Sequence, residues 1–295
     1  AEQDAFVPQS LVEKWILYRL NATAKQLDHD MQQRSFMSAT SCVYNFWLYD
    51  LCDVYIEAIK PITDAGAEPA ARLSAQHTLY ACLDAGLKLL HPFMPFVTEE
   101  LWHRLPVRPQ ETCETIAHTR FPPWNPTHDF AAEAAQFDDV FASVRAVRAL
   151  AADYGLTSKI QAFVEVQNAE SRNVLSTQCS VMHTLIKGCE SIVCVSQASE
   201  VPAGCVVASV SATIQVHLLV SGLVDFDQEL SKLAKKLTLN ETQLQRTVAL
   251  TQKPDWSKTP EDVRASTNQR LDDLEAEKAA LLKAQANFES LRSSS

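Results

Sequence analysis

The chain has 295 residues, 46% of them hydrophobic, which is enough to bury large cores and predicts two or three domains. A formal charge of −10 excludes a general affinity for nucleic acid. Only six glycines, set against many Ala, Leu and Gln, favour helix over an all-β or doubly wound fold.

The charge is uneven. Residues 225–295 hold 11 Lys/Arg against 12 Asp/Glu, and residues 1–224 hold 15 against 24. A polyanion binder with this balance must rely on local basic patches, which suits selective capture of one RNA. No apolar run approaches the ~20 residues that span a bilayer, and the start has no basic-then-apolar signal segment. The chain opens inside an amphipathic pattern, which leads us to expect a piece of a longer protein. Eight cysteines form no CxxC pair and have no histidines at zinc spacing. They read as buried, reduced thiols, which places the protein in the cytoplasm and leaves it without a metal site.

In chain order, Leu17, Leu20, Ala24, Leu27 and Met31 predict an amphipathic helix from about Gln9 to Gln33. Phe36, Val43, Trp47, Leu51, Val54 and Ala58 predict a second helix, ended by Pro61. Glu68-Pro69 opens a third, with Leu73, His77, Tyr80, Leu83, Leu87 and Leu90 on its stripe; Pro92 and Pro95 break it, and a short helix follows through Trp102. Such helices predict an up-and-down bundle. Five prolines in residues 106–129 predict an extended segment wrapping the bundle. Phe130 to Tyr154 returns to helix, capped by Gly155.

Residues 155–222 change character. A strand from Ile160, a helix from about Ser171 to Lys187 ended by Gly188, and strands at 192–195, 206–210 and 214–220 predict a small α/β module. Residues 223–295 then carry an apolar repeat. Leu223, Phe226, Leu230, Leu233, Leu237, Asn240 and Leu244 alternate steps of three and four, a coiled-coil seam with Asn240 as its polar register position. The repeat dissolves near Lys253-Pro254. Thr259-Pro260 restarts a helix, and Leu271, Leu274, Lys278, Leu281, Gln285 and Phe288 answer the first seam. The fold class is thus mainly α, with a helix bundle at 1–154, the α/β module at 155–222 and an antiparallel helical hairpin at 223–295. A self-folded hairpin predicts a monomer.

Three strings stand out: LVEKWILYRLN (Leu11 to Asn21), FWLYDLCDVYIE (Phe46 to Glu57) and HPFMPFVTEELW (His91 to Trp102). In this order they resemble the anticodon-binding domain of class I aminoacyl-tRNA synthetases and, within that class, of the valine–tRNA ligases. The resemblance continues through Gly222-Leu223-Val224-Asp225 into the final hairpin and is weakest over residues 155–221. It implies that the bundle reads the anticodon of tRNA(Val) and that the hairpin supports the tRNA elbow. Valine attachment would then belong to catalytic and editing domains elsewhere in the parent chain, which would hold ATP and Mg. The signatures His-Ile-Gly-His and Lys-Met-Ser-Lys-Ser, by which such enzymes hold ATP, are missing; Leu156-Thr157-Ser158-Lys159 is a poor echo of the second. No catalytic residue and no cofactor are therefore expected in this piece, which should be inactive alone.

Single-stranded anticodon bases stack on aromatic or guanidinium planes. The candidates on the anticodon side are Lys14, Trp15, Arg19, Arg34, Tyr44, Trp47 and Asp50, although Trp15 and Trp47 also read as core and Arg19 as an ion-pair partner of Asp50 or Asp53. On the arm, Lys232, Lys235, Lys236, Arg246, Arg264, Arg270 and Lys278 are phosphate-contact candidates, with Lys253, Trp256 and Lys258 at the tip and Lys283 beyond. The terminal hairpin favours valine; the bundle alone leaves an isoleucine– or leucine–tRNA ligase open. A non-enzymatic helical scaffold that pairs with protein is the reading from another class.

Overall fold

A computed structural model describes residues 7–64, 66–106, 113–222 and 226–252, together with residues 264, 267–271, 274–275, 278, 282, 285–286 and 289; for 226–229 and 232–233 it describes the backbone alone. The first helix, α1 (Leu11–Gln32), starts with a capping box. Ser10 Oγ accepts from the Glu13 amide at 3.3 Å, and Glu13 Oε2 accepts from the Ser10 amide at 3.2 Å. The same carboxylate oxygen accepts from the Ser74 hydroxyl at 2.7 Å, so the cap also ties α1 to a neighbouring helix. Val12, Trp15, Ile16, Leu17, Leu20, Ala24 and Leu27 are buried along α1, the central member of the bundle.

After α1, one helical rod runs from α2 (Phe36–Asn45) through a π-helical stretch (Phe46–Ile56) into α3 (Glu57–Thr63). The α-periodic reading of the sequence does not anticipate the wide turn. Its buried residues are Phe46, then Asp50 with Leu51, then Val54 with Tyr55, so the buried face recurs once per turn of the widened helix. Pro61 does not stop the rod where expected. It sits inside α3, and the helix ends two residues later at Thr63 because the missing N–H removes only one bond from a final turn.

Next comes α4 (Pro69–Leu90), capped by the Glu68 side chain on the Ala71 amide at 2.7 Å. Its buried residues are Ser74, Ala75, Thr78, Cys82, Gly86, Leu87 and Leu89. Of the predicted stripe, Leu87 is buried and Tyr80, Leu83 and Leu90 are half-buried, while Leu73 and His77 at its start are rotated outward and exposed. Over the first turns small residues win the buried positions because they let α4 approach its neighbours closely, and only its last turn buries large side chains, Leu87 and Leu89. A turn at His91–Phe93 leads into α5 (Pro95–Trp102). The described part of the predicted wrapping segment, 113–129, is extended with two short 3₁₀ turns. It is fastened to α1 by Asn21, whose amide donates to the Asn125 carbonyl at 2.9 Å and accepts from the Asn125 amide at 2.6 Å.

The last bundle helix, α6 (Ala131–Asp153), ends in a Schellman turn: Leu156 N–H donates to Ala151 O at 2.8 Å while Gly155 takes φ +65. Beyond it, β1 (Ile160–Val166), β2 (Cys189–Val195), β3 (Cys205–Ser209) and β4 (Ile214–Leu219) form a sheet of order β2-β1-β4-β3. The β1–β2 pair is parallel and the other two are antiparallel. The single helix expected at 171–187 is two, α7 (Ala169–Thr177) and α8 (Cys179–Leu185), broken at Gln178. Both pack on the sheet, and α8 also meets α3, so one apolar core runs from Val12 in the bundle to Val220 in the module.

The arm begins with α9 (Phe226–Thr251), and Leu230 at its base packs on the main core. The described residues between 264 and 289 are also helical. The two segments meet where Asn240, 4% exposed, donates to Leu274 O at 3.3 Å, and where Lys278 pairs with Glu241 at 2.9 Å. Asn240 thus fixes which turns face each other. Leu223, Leu281, Phe288, Lys253, Trp256, Lys258 and Lys283 lie outside the described residues.

Candidate nucleic-acid interface

The end of α2 with Trp47 of the second string, and the start of the third string some 45 residues later, line one groove. Tyr44, Asn45 and Trp47 form one wall with Thr40, Ser41 and Val43, and Leu90, Phe93 and Met94 form the other; the space between is about 560 Å³. That is within the ~300–1,000 Å³ usual for small-ligand sites. No lining side chain is charged. Aromatic faces, a thioether, three hydroxyls and a carboxamide suit a neutral planar group that needs both stacking and hydrogen bonds. Exposed Phe36, Met37, Phe96 and Val97 extend the apolar character of α2 and α5. Met37 is 84% exposed and Phe96 91%, which a helix carries at an interaction surface rather than for stability.

The π-helical stretch aims the indole of Trp47. Its Nε1–H donates to Gly86 O at 3.3 Å, and the ring is half-buried, packed on the main core and on a smaller cluster of Leu87, Trp102 and Ile116. Trp102 is itself anchored, donating to Asp84 Oδ1 at 2.9 Å, while Lys88 bonds the other oxygen of Asp84 at 2.8 Å. Tyr44 stands at the groove's edge, 57% exposed, edge-on to Tyr49 with ring centroids 6.0 Å apart.

The other anticodon-side candidates are placed differently. Trp15 is only 2% exposed; it donates to Asp138 Oδ1 at 3.0 Å and lies 4.9 Å from the ring of Phe137, so it presents no face to a base. Lys14 pairs with Glu133 at 3.1 Å and sits 5.8 Å over Phe130. Arg19 bonds Asp50 at 3.0 Å across α1 and the π stretch. Burial alone would lower the Arg19 pKa, but the hydrogen bond and charge of Asp50 raise it above its ordinary value. Burial pushes Asp50 up, partly opposed by Arg19. These three pairs brace helices. Of these candidates, Arg34 alone is charged, exposed and strained, with φ +59 at the end of α1.

On the arm, Lys235, Lys236, Arg246 and Arg270 are exposed, Arg264 is half-buried and Lys278 is engaged with Glu241. Lys232 lies on α9, its side chain outside the described residues. None of the eight cysteines is in a disulfide, but the expected burial holds for Cys82 only; Cys52 is exposed and the rest are half-buried, because they flank helices and strand edges instead of facing inward.

Residues 13–166 match the family model for the anticodon-binding domain of tRNA ligase. The chain belongs to that family. Among relatives, it is 40% identical to the mitochondrial valine–tRNA ligase of Saccharomyces cerevisiae over 78% of its own length and 21% of that protein's. To the valine–tRNA ligase of Mus musculus it is 36% identical over 96% of the chain and 22% of that protein, and to that of Takifugu rubripes 34% over 98% and 25%. The chain therefore spans about a fifth to a quarter of the relatives it matches. Within the anticodon-binding fold, Thr40, Ser41, Asn45 and Leu90 line the groove without having been read as base contacts, and so do Phe93 and Met94 of the third distinctive string. The signal for the last two was present in His91-Pro92-Phe93-Met94-Pro95, an aromatic turn between two prolines that no helix stripe accounts for.

Proposed function

We propose that the chain is the tRNA-recognition part of a cytoplasmic valine–tRNA ligase, and that the Tyr44–Trp47–Phe93 groove receives bases of the anticodon loop of tRNA(Val). The observation that carries this reading is the uncharged, aromatic groove on a bundle of the anticodon-binding family. Splayed bases stack on aromatic rings for roughly 1–3 kcal/mol each. Tyr44 is the stacking residue, Trp47 the floor, Asn45 and Ser41 the groups that read base edges, and Arg34 a contact to loop phosphates.

In the same reading the arm reaches the tRNA elbow, with Lys235, Lys236, Arg246 and Arg270 toward phosphates and Lys232 on the same helix. The parent enzyme joins valine to tRNA with ATP and Mg through catalytic and editing domains elsewhere in its chain, and this piece alone is inactive. It acts as a monomer, a reading supported by the contact of Asn240 with Leu274 in the same chain.

Fluorescence anisotropy with a labelled valine tRNA tests the proposal. Replacing its anticodon should weaken binding at least tenfold at moderate salt. Equal affinity for tRNAs of every anticodon overturns the groove's role.

A further inference from the structure

We propose that Cys179 and Cys194 are a reversible redox pair, closing to an intrachain disulfide when the protein meets a peroxide. Cys179 is the first residue of α8 and Cys194 lies on β2, beneath the same helix. Their sulfurs are 3.8 Å apart, with one thiol donating to the other. A disulfide needs about 2.0 Å, so the sulfurs must approach by a little under 2 Å, within reach of χ1 adjustment and a small slide of α8. Both residues are half-buried, so a small oxidant reaches them. Two thiols in contact between separate elements differ from half-buried cysteines such as Cys42 and Cys113, whose sulfurs donate to backbone carbonyls.

The local electrostatics favour Cys179 as the attacking sulfur. The hydrogen bond from Cys194 pulls Cys179 down to about 7 despite its partial burial, and the shared proton, with burial, pushes Cys194 up. Near neutral pH Cys179 then carries much of the thiolate, the form that reacts. Its sulfur attacks one peroxide oxygen, the O–O bond breaks, and the departing hydroxide takes a proton to become water. Cys179 is left as a sulfenic acid. The sulfur of Cys194 next attacks that of Cys179, the S–O bond breaks and a second water leaves. Two thiols lose two electrons, and one peroxide becomes two waters.

The bond would clamp α8 to β2. That helix also packs on α3 of the bundle, and its Leu185 carbonyl accepts from the Arg148 guanidinium of α6. Oxidation therefore stiffens the junction between bundle and sheet and raises the melting temperature. The proposal is independent of the RNA-binding reading.

Peptide mapping of the whole chain with trypsin and a glutamate-specific protease tests it, because cuts at Lys187, Glu190 and Glu200 place Cys179, Cys189, Cys194 and Cys205 on separate peptides. After brief treatment with hydrogen peroxide and capping with maleimide, the Cys179 and Cys194 peptides should appear joined, and dithiothreitol should release them. Both thiols should lose maleimide reactivity together, roughly tenfold faster than Cys189 and Cys205. In Cys194→Ser, Cys179 should instead accumulate a sulfenic acid trapped by dimedone. Wild-type protein in which Cys179 reacts while Cys194 stays free overturns the proposal, as does oxidation of both no faster than Cys189 and Cys205. The wild-type map decides the matter even if the variant fails to fold.

Discussion

Gly86 on α4 backs directly onto the indole of Trp47. A methyl group at position 86 would lie 3.0 Å from Trp47 Cζ2 and 3.3 Å from Phe46 Cε1, while the Gly86 carbonyl accepts the indole N–H at 3.3 Å. The glycine is the socket that seats the floor of the groove. Gly86→Ala should gain up to about 1 kcal/mol in helix propensity and lose about 1–3 kcal/mol by overpacking. The net is a modest destabilisation in urea, accompanied by a changed tryptophan emission as the ring shifts. Unchanged emission and stability would mean that the indole relaxes freely and is not held by α4.

Tyr44 is exposed, and its hydroxyl bonds to none of the described residues, so Tyr44→Ala should alter stability by less than about 0.5 kcal/mol. If it stacks on a base, the same change should cost roughly 1–3 kcal/mol of tRNA affinity. The separation of the two effects is the informative outcome. Titration of labelled tRNA beside a urea melt reads both.

Arg34 adopts φ +59 where α1 ends, and the Ser35 amide reaches back to Asp30 O at 2.8 Å. A non-glycine residue in that conformation costs about 1–2 kcal/mol. Arg34→Gly should therefore stabilise the fold by about 1 kcal/mol, because strain is relieved. Loss of tRNA affinity in this more stable variant would assign the side chain to binding; retained affinity would leave the arginine without a role in the groove.

Lys14 and Glu133 join α1 to α6 at 3.1 Å. A backbone hydrogen bond and then the Lys14 ammonium hold the Glu133 carboxyl below its ordinary 4.5. A depressed carboxylate contributes stability above its unfolded pKa, and that contribution is lost as pH falls through the folded one. Both side chains are about a third exposed, so solvent screening limits the pair to roughly 0.2–1 kcal/mol. Lys14→Ala should lower the melting temperature slightly at pH 7 and much less at pH 3. An equal drop at both values would point to poorer packing against Phe130 instead.

Lys235 and Lys236 form an exposed basic pair on α9. Changing both to Ala should leave the fold intact and weaken binding of different tRNAs about equally. For each ammonium that meets a phosphate, its removal should reduce the slope of log affinity against log salt by about 1. An unchanged slope would remove these two lysines from the interface.

The helices, their order and the change to strands after Gly155 were legible along the chain, because periodicity and turn chemistry act between residues a few positions apart. Membership of the anticodon-binding family was legible for a related reason: Trp15, Trp47 and the proline-bracketed Phe93 occur in strings too specific to be generic core. Spacing was silent on direction. Nothing local distinguishes Trp15, locked onto Asp138, from Trp47, which borders the groove. Nor does it show that small residues, and not Leu73 and His77, carry the contact face of α4. Those outcomes depend on how closely two helices approach and on one π-helical stretch that rotates its side chains by a fraction of a turn. Such balances are set by packing between residues forty or more positions apart, and they exist only once the chain has closed on itself.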